Sequence, residues 1–129
     1  MDNKDLFRRY VEALGRPERL ADVLAPDFVA HDLPSGGGGE ALTAFRQAVK
    51  AATADQEITI SDLIAEGDRV AARMTSRATH TGEFAGIAAT DKPVVFEIFE
   101  IVRISQGRIA ERWVATVPSI PEILAQLRA

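Results

Sequence analysis

Four runs rich in β-branched and apolar residues fill the second half of the chain, over 58–65, 70–80, 94–104 and 108–117, and they constrain the fold more than any other feature. Glu66-Gly67-Asp68 is a tight-turn signal between the first two runs, and Gln106-Gly107 turns the chain between the last two. Only 81–93, with its glycines and alanines, is a long connection. Sheet therefore dominates this half, with neighbouring strands antiparallel.

The first half has helical periodicity instead. Asp2 or Asn3 can cap a helix whose Leu6, Phe7, Tyr10, Val11 and Leu14 share one face, ending at Gly15. Pro17 suits the first position of a short second helix carrying Leu20, Val23 and Leu24, which Pro26 stops. Residues 28–32 read as a short extended segment, and the LPSGGGG sequence over 33–39 as a flexible loop. Leu42, Phe45, Val49 and Ala52 predict a one-sided third helix over about 40–53, and Ile120, Ile123, Leu124 and Leu127 a short closing helix. Helices first and strands later predict an α+β architecture.

Composition narrows the class. At 129 residues the chain is expected to form a single domain, 1–129, with one core; its 47% hydrophobic and 26% charged residues are those of a globular protein. A net charge of -4, from 15 basic and 19 acidic side chains, gives no footprint for a nucleic-acid backbone. Apolar stretches are broken by charges well short of a membrane span, and the polar first ten residues do not resemble a signal peptide, so a cytoplasmic location is expected. With no cysteine, thiolate catalysis and cysteine-based metal sites are excluded.

The chemistry is expected at the last hairpin. If Ser105 and Arg108 flank a two-residue turn, Trp113 lies opposite Glu100, Ala115 opposite Ile98 and Val117 opposite Phe96, with Glu111 near Val102 on the same face. A carboxylate on an apolar concave surface is poorly solvated, so Glu100 could exchange protons near neutral pH. Alternatively it turns to solvent, or pairs with Arg73 or Arg103. His31 and Asp32 end the first extended segment. His80 shares parity with Val70, Ala72 and Met74, which aims it inward. No metal site is expected, because the two histidines are far apart in sequence, and neither a phosphate-binding loop nor a serine-nucleophile elbow is present.

Several segments together, Phe28-Val29-Ala30-His31-Asp32, Ile64-Ala65-Glu66-Gly67-Asp68-Arg69-Val70, Thr79-His80-Thr81-Gly82-Glu83-Phe84 and Gly107-Arg108-Ile109-Ala110-Glu111-Arg112-Trp113, resemble the SnoaL-like polyketide cyclases. The resemblance extends to Gln126-Leu127 and implies an NTF2-like fold, a cone-shaped, strongly curved antiparallel sheet closed by N-terminal helices and commonly paired into a homodimer through the sheet. In those cyclases an aspartate four residues after the Trp of the last strand removes a proton from a polyketide ester before intramolecular aldol closure. Val117 occupies that position here and cannot accept a proton, so the family's step would need another carboxylate, such as Glu100 across the hairpin, to reach the same cavity. Limonene epoxide hydrolases, which the chain resembles less, use two aspartates around an arginine; Arg73 could match the arginine, but Thr75 and Val117 stand at the aspartate positions.

The sequence thus predicts a SnoaL-like protein with a pocket for a small hydrophobic molecule. Cofactor-free and metal-free acid–base chemistry would fall to Glu100, His31 and His80. Asp32, Arg73, Phe96, Phe99, Glu111, Trp113 and Val117 would surround the ligand. The alternative is a non-catalytic ligand-binding or assembly module, since one fold serves many tasks; an epoxide hydrolase or isomerase is a further option. Partners beyond the small molecule and a second copy of the chain, such as nucleic acid or membrane, are not expected.

Overall fold

The computed structural model describes residues 2–34 and 36–129; Met1, and Ser35 in the expected 33–39 loop, lie outside the described residues. Helix α1 (Asn3–Leu14) starts where the Asp2 carboxylate accepts the Asp5 N–H at 2.8 Å, and its Leu6, Phe7, Tyr10, Ala13 and Leu14 are buried on one side. Pro17–Asp22 forms a short 3-10 helix, tighter and shorter than the second helix expected from sequence. Leu24 and Pro26, expected at the end of that helix, instead lie in strand β1 (Leu24–Ala30). A proline is tolerated there because β1 is an edge strand.

Helix α2 (Gly39–Ala52) leads into β2 (Thr53–Glu66), which begins five residues before the expected strand. β3 (Arg69–His80), β4 (Pro93–Ser105), β5 (Arg108–Val117) and α3 (Ile120–Arg128) follow close to their predicted places. The sheet order is β1-β5-β4-β3-β2. Four strands form an antiparallel meander, while β1 pairs parallel to β5, which the sequence did not signal. The Gln106-Gly107 turn has positive φ at both residues, 51° and 72°, the geometry that lets a two-residue loop follow the twist of its strands.

One face of the sheet carries Val70, Ala72, Met74, Val102, Ile104 and Ile109, and on it α1, α2 and the 3-10 helix close the main core. Helix α3 covers a separate, smaller cluster at the far end of the same face, where Ile123 and Leu127 meet Ile87, Val94 and Phe96. Among the described residues no helix covers the outer face, and Val95, Phe99, Ile101 and Val117 stay exposed there.

The expected register between β4 and β5 holds only for the two pairs next to the turn, Ser105 with Arg108 and Ile104 with Ile109. A β-bulge then leaves Ala110 unpaired, so Arg103 faces Glu111, Ile101 faces Trp113 and Glu100 faces Val114. Ile109 and Ala110 are both buried, at 0% and 3% exposure, where strict alternation would have turned one of them outward. Beyond the bulge every β5 side chain is reversed relative to the sequence prediction. Arg112, Val114 and Thr116 look inward; Glu111, Trp113, Ala115 and Val117 do not. Among the described residues no helix is long and apolar enough to cross a membrane.

The face assignment is testable by truncation. Ile109→Ala, in the core, should lower unfolding free energy in urea by about 2–5 kcal/mol, whereas Ile101→Ala on the outer face should cost less than about 1 kcal/mol. A larger loss for Ile101→Ala than for Ile109→Ala would mean that β4 and β5 present the opposite faces.

Candidate functional site

Glu100 is drawn inward by its place opposite Ala72 and Val114, and it is only 3% exposed. Tyr10, one turn before the end of α1, donates its hydroxyl to Glu100 Oε2 at 2.6 Å. The same hydroxyl accepts from Arg112 Nη1 at 2.9 Å, and Arg112 is gripped at both forks by Asp32, through Nε at 2.9 Å and Nη2 at 2.7 Å. The result is a continuous chain from a carboxylate near the surface to one in the interior, Asp32–Arg112–Tyr10–Glu100. A second guanidinium, that of Arg46, lies close enough for its charge to act on Glu100 and Arg112; it donates to the Leu14 carbonyl and to Gln56 Oε1. Two cations therefore face two acids.

Burial pushes the Glu100 carboxyl above its ordinary 4.5, against the opposing pull of Arg112 and of the Tyr10 hydrogen bond. Burial likewise raises the Tyr10 hydroxyl well above 10, with Glu100 adding to the shift. Desolvation lowers Arg46 to about 10, helped by the like charge of Arg112. Desolvation also works against the Arg112 cation, but the facing Tyr10 and Glu100 oxygens and the Asp32 carboxylate outweigh it, so its pKa is raised. Among the described residues Tyr10 is the one hydrogen-bond partner of Glu100's carboxyl group, and it takes Oε2; Oε1 is not among the sealed, unpartnered atoms. On this face of the sheet Ile58, Ile60, Leu63, Ile98, Val114 and Thr116 are half-buried.

The remaining predicted residues do not gather at Glu100. Trp113 was expected opposite it, but the bulge turns the indole to the other face, where His31 stacks on it with ring centroids 4.9 Å apart and Arg69 lies 5.1 Å above it. Glu111 is there too, bonded to His31 Nε2 at 2.7 Å and to Arg103. Arg73 is held outside by Asp62 at 2.7 Å and Glu97 at 3.2 Å, an acid–arginine–acid triad in the open rather than in a pocket. Phe99 and Val117, expected as pocket walls, are 42% and 60% exposed on that outer face. Phe96 faces inward as expected, but it packs in the α3 cluster. His80 is inward and buried at the opposite end of the sheet from the turn, eight residues along β3 from the partner of Glu100. That separation is about 25 Å along a straight strand. Asp32 reaches Glu100 only through Arg112 and Tyr10.

Tyr10 and Arg112 in the chain of contacts, and Arg46 beside it, were not singled out from sequence. Arg46 did carry a signal, since it lies four residues after Leu42 on the apolar side of α2. Arg112 carried none, because its inward aim follows from the bulge.

Over residues 4–116 the sequence matches the SnoaL-like polyketide cyclase family. The chain belongs to that family. Its fold is NTF2-like α+β, shared with solved structures. AclR, "a putative hydroxylase" from Streptomyces galilaeus, is 27% identical with a TM-score of 0.83, covering 96% of this chain and 79% of its own. IdmH, "a putative polyketide cyclase" from Streptomyces antibioticus, is 30% identical with a TM-score of 0.78, covering 97% of each chain. TsrD from Streptomyces laurentii, at 24% identity, TM-score 0.82 and coverage of 96% and 97%, shares the fold. No curated protein matches the sequence. In this SnoaL-like chain Val117 pairs with Glu97 at the end of β5 and is exposed on the outer face, away from Glu100.

The pKa directions predict two opposite pH effects on stability. Glu100 binds its proton more tightly folded than unfolded, so its contribution is complete below pH 4.5 and is lost as pH rises through the raised folded value. Glu111 is lowered by hydrogen bonds from His31 and Arg103, so its contribution is present above pH 4.5 and disappears as pH falls through the lowered value. Urea unfolding across pH should therefore show Glu100→Gln flattening the loss of stability above pH 4.5, and Glu111→Gln flattening the loss below it.

Proposed function

We propose that this SnoaL-like chain binds a small hydrophobic, polyketide-like molecule against the concave face and performs cofactor-free acid–base chemistry on it, with Glu100 as the proton-transferring group. The observation that carries this reading is a buried carboxylate with one oxygen held by Tyr10, the other without a partner among the described residues, and its proton affinity raised by desolvation. Such a carboxylate takes a proton from the carbon between two carbonyls. The C–H electron pair moves onto a carbonyl oxygen as an enolate, and the enolate carbon bonds to a second carbonyl of the same molecule. The alkoxide so formed takes the proton back from Glu100, closing the balance of an aldol cyclisation. Tyr10, Arg112 and Asp32 are positioning residues: they fix the rotamer of Glu100 and the direction of its free oxygen. IdmH, described as a cyclase, supports the substrate class by similarity.

A second reading, a non-catalytic ligand-binding module, is favoured by one observation, the exposed Val117 at the position matched to the family's base. The two readings separate in one experiment. Across a panel of polyketide esters and epoxides, wild type should turn over at least one ester, and Glu100→Gln should lower its kcat by about 10²–10⁴-fold. Binding without turnover in the wild type supports the module, and an unchanged rate in the variant removes Glu100 from the chemistry.

We further propose that two copies pair through the outer face. Val95, Phe99, Ile101 and Val117 form an uncovered apolar area there, bordered by the Asp62–Arg73–Glu97 and His31–Glu111–Arg103 ion pairs. Sedimentation should report a dimer of wild type and a monomer of Phe99→Glu; a monomeric wild type would refute the pairing.

A further inference from the structure

Away from Glu100, charged side chains gather around open space between α1 and the 3-10 helix. A cleft of about 490 Å³ lies there, bordered by Arg9, Glu12, Arg16, Arg19 and Asp22. Local helix geometry brings these five together. Gly15 keeps helical dihedrals, φ -84° and ψ -10°, so residues 9, 12 and 16, spaced by three and four, share one side of α1 and of the turn that ends it. A 3-10 helix has three residues per turn, which sets Arg16 at its N-cap, then Arg19 and Asp22, in one column. The two columns meet at Arg16 and form the two walls of the cleft.

Three guanidinium groups and two carboxylates thus border one concavity whose volume is that of small-molecule sites. In a chain of net charge -4 this is a local excess of cations. Most arginines of known contacts here are matched to acids: Arg8 to Asp5, Arg73 to Asp62 and Glu97, Arg103 to Glu111, and Arg112 to Asp32. Arg16 and Arg19 are exposed, and among the described residues neither guanidinium is joined to Glu12, to Asp22 or to any other acid. Each presents a planar fork of N–H donors that fits two oxygens of a phosphate. The two carboxylates limit what can enter: they repel a polyanion, whereas they accept hydrogen bonds from hydroxyls. The apolar lining is small, from the buried Ala13 and Val23, and gives a hydrophobic molecule little contact.

We infer that this cleft is a ligand site for a monophosphate ester with a hydroxyl-bearing body, in which Arg16 and Arg19 hold the phosphate while Glu12 and Asp22 accept hydrogen bonds from the hydroxyls. Arg9 borders the same space and adds positive charge to it. The site is separate from the chemistry proposed at Glu100 and does not rest on it: Tyr10, which bonds Glu100, points to the buried side of α1, whereas Arg9 and Glu12 are on its exposed side.

Calorimetric titration of the full chain with three probes tests it: ribose 5-phosphate, which has both parts, inorganic phosphate, which lacks the body, and ribose, which lacks the phosphate. Ribose 5-phosphate should bind at millimolar concentration or below, inorganic phosphate several-fold more weakly, and ribose not measurably. The double variant Arg16→Gln/Arg19→Gln should lose at least about tenfold in affinity for ribose 5-phosphate, the size of one charge-assisted hydrogen bond or more. Lys4→Gln/Lys50→Gln removes the same charge from exposed positions that do not line the cleft, and should leave that affinity within about twofold. Glu12→Gln should narrow the gap between ribose 5-phosphate and inorganic phosphate. All five positions are exposed, so the variants should keep the wild-type urea midpoint, which is measured alongside. Absence of ribose 5-phosphate binding at millimolar concentration, equal losses in the two double variants, or equal affinity for ribose 5-phosphate and inorganic phosphate in the wild type would each overturn the inference.

Discussion

Between Ile109 and Glu111 the last strand carries one residue more than β4 can pair, and the interior depends on that extra residue. Ile109 enters the core and bonds through its N–H to Val23 O, beside the parallel edge strand, so its position is held by β1 as well as β4. Ala110, small enough to be buried next to it, absorbs the mismatch. From there to Val117 the strand presents the opposite set of side chains. An arginine enters the interior, and the one tryptophan leaves it.

Bringing Arg112 inside imposes a demand that the rest of the network meets. An isolated buried guanidinium would be prohibitive, and the cost is tolerable only where its donors are matched. Asp32 supplies a planar two-point grip from the end of β1, and Tyr10 presents an oxygen from α1. The Tyr10 hydrogen then needs its own acceptor, which is Glu100 on β4. Elements far apart in sequence, α1, β1, β4 and β5, are thus tied by one polar chain as well as by apolar packing. The same ties hold the buried Glu100 carboxyl in one orientation.

The polar groups sort into three places with different consequences. Glu100 is desolvated and has a raised proton affinity. His80 is desolvated at the other end, with one ring nitrogen satisfied and one open. His31, Glu111, Arg103, Arg73 and Trp113 lie on the outer face, where solvent screens their charges and their contacts are worth little individually. A single catalytic cluster of Glu100 and both histidines is not formed. The outer face instead combines exposed apolar side chains with bordering ion pairs, a pattern of interfaces rather than of pockets.

Local patterns in the sequence determined the α+β class, the limits of most elements, the Gln106-Gly107 hairpin and the inward aim of His80, since periodicity and turn chemistry depend on near neighbours; whether Glu100 faces inward was left open. The family, too, was legible from ordered segments such as Thr79–Phe84 and 107–113. Leu24 and Pro26 were misread because helical spacing over a few residues does not distinguish a short helix from an edge strand that pairs with β5 some 85 residues away. The reversed faces of Trp113, Glu111 and Val117 came from one unpaired alanine, and a register slip of one residue inverts everything after it. The adjacent apolar pair Ile109-Ala110 was the one visible hint. Only the tertiary structure could decide the partners of Arg112, because which face a strand buries is set by the elements that pack against it, not by its own alternation.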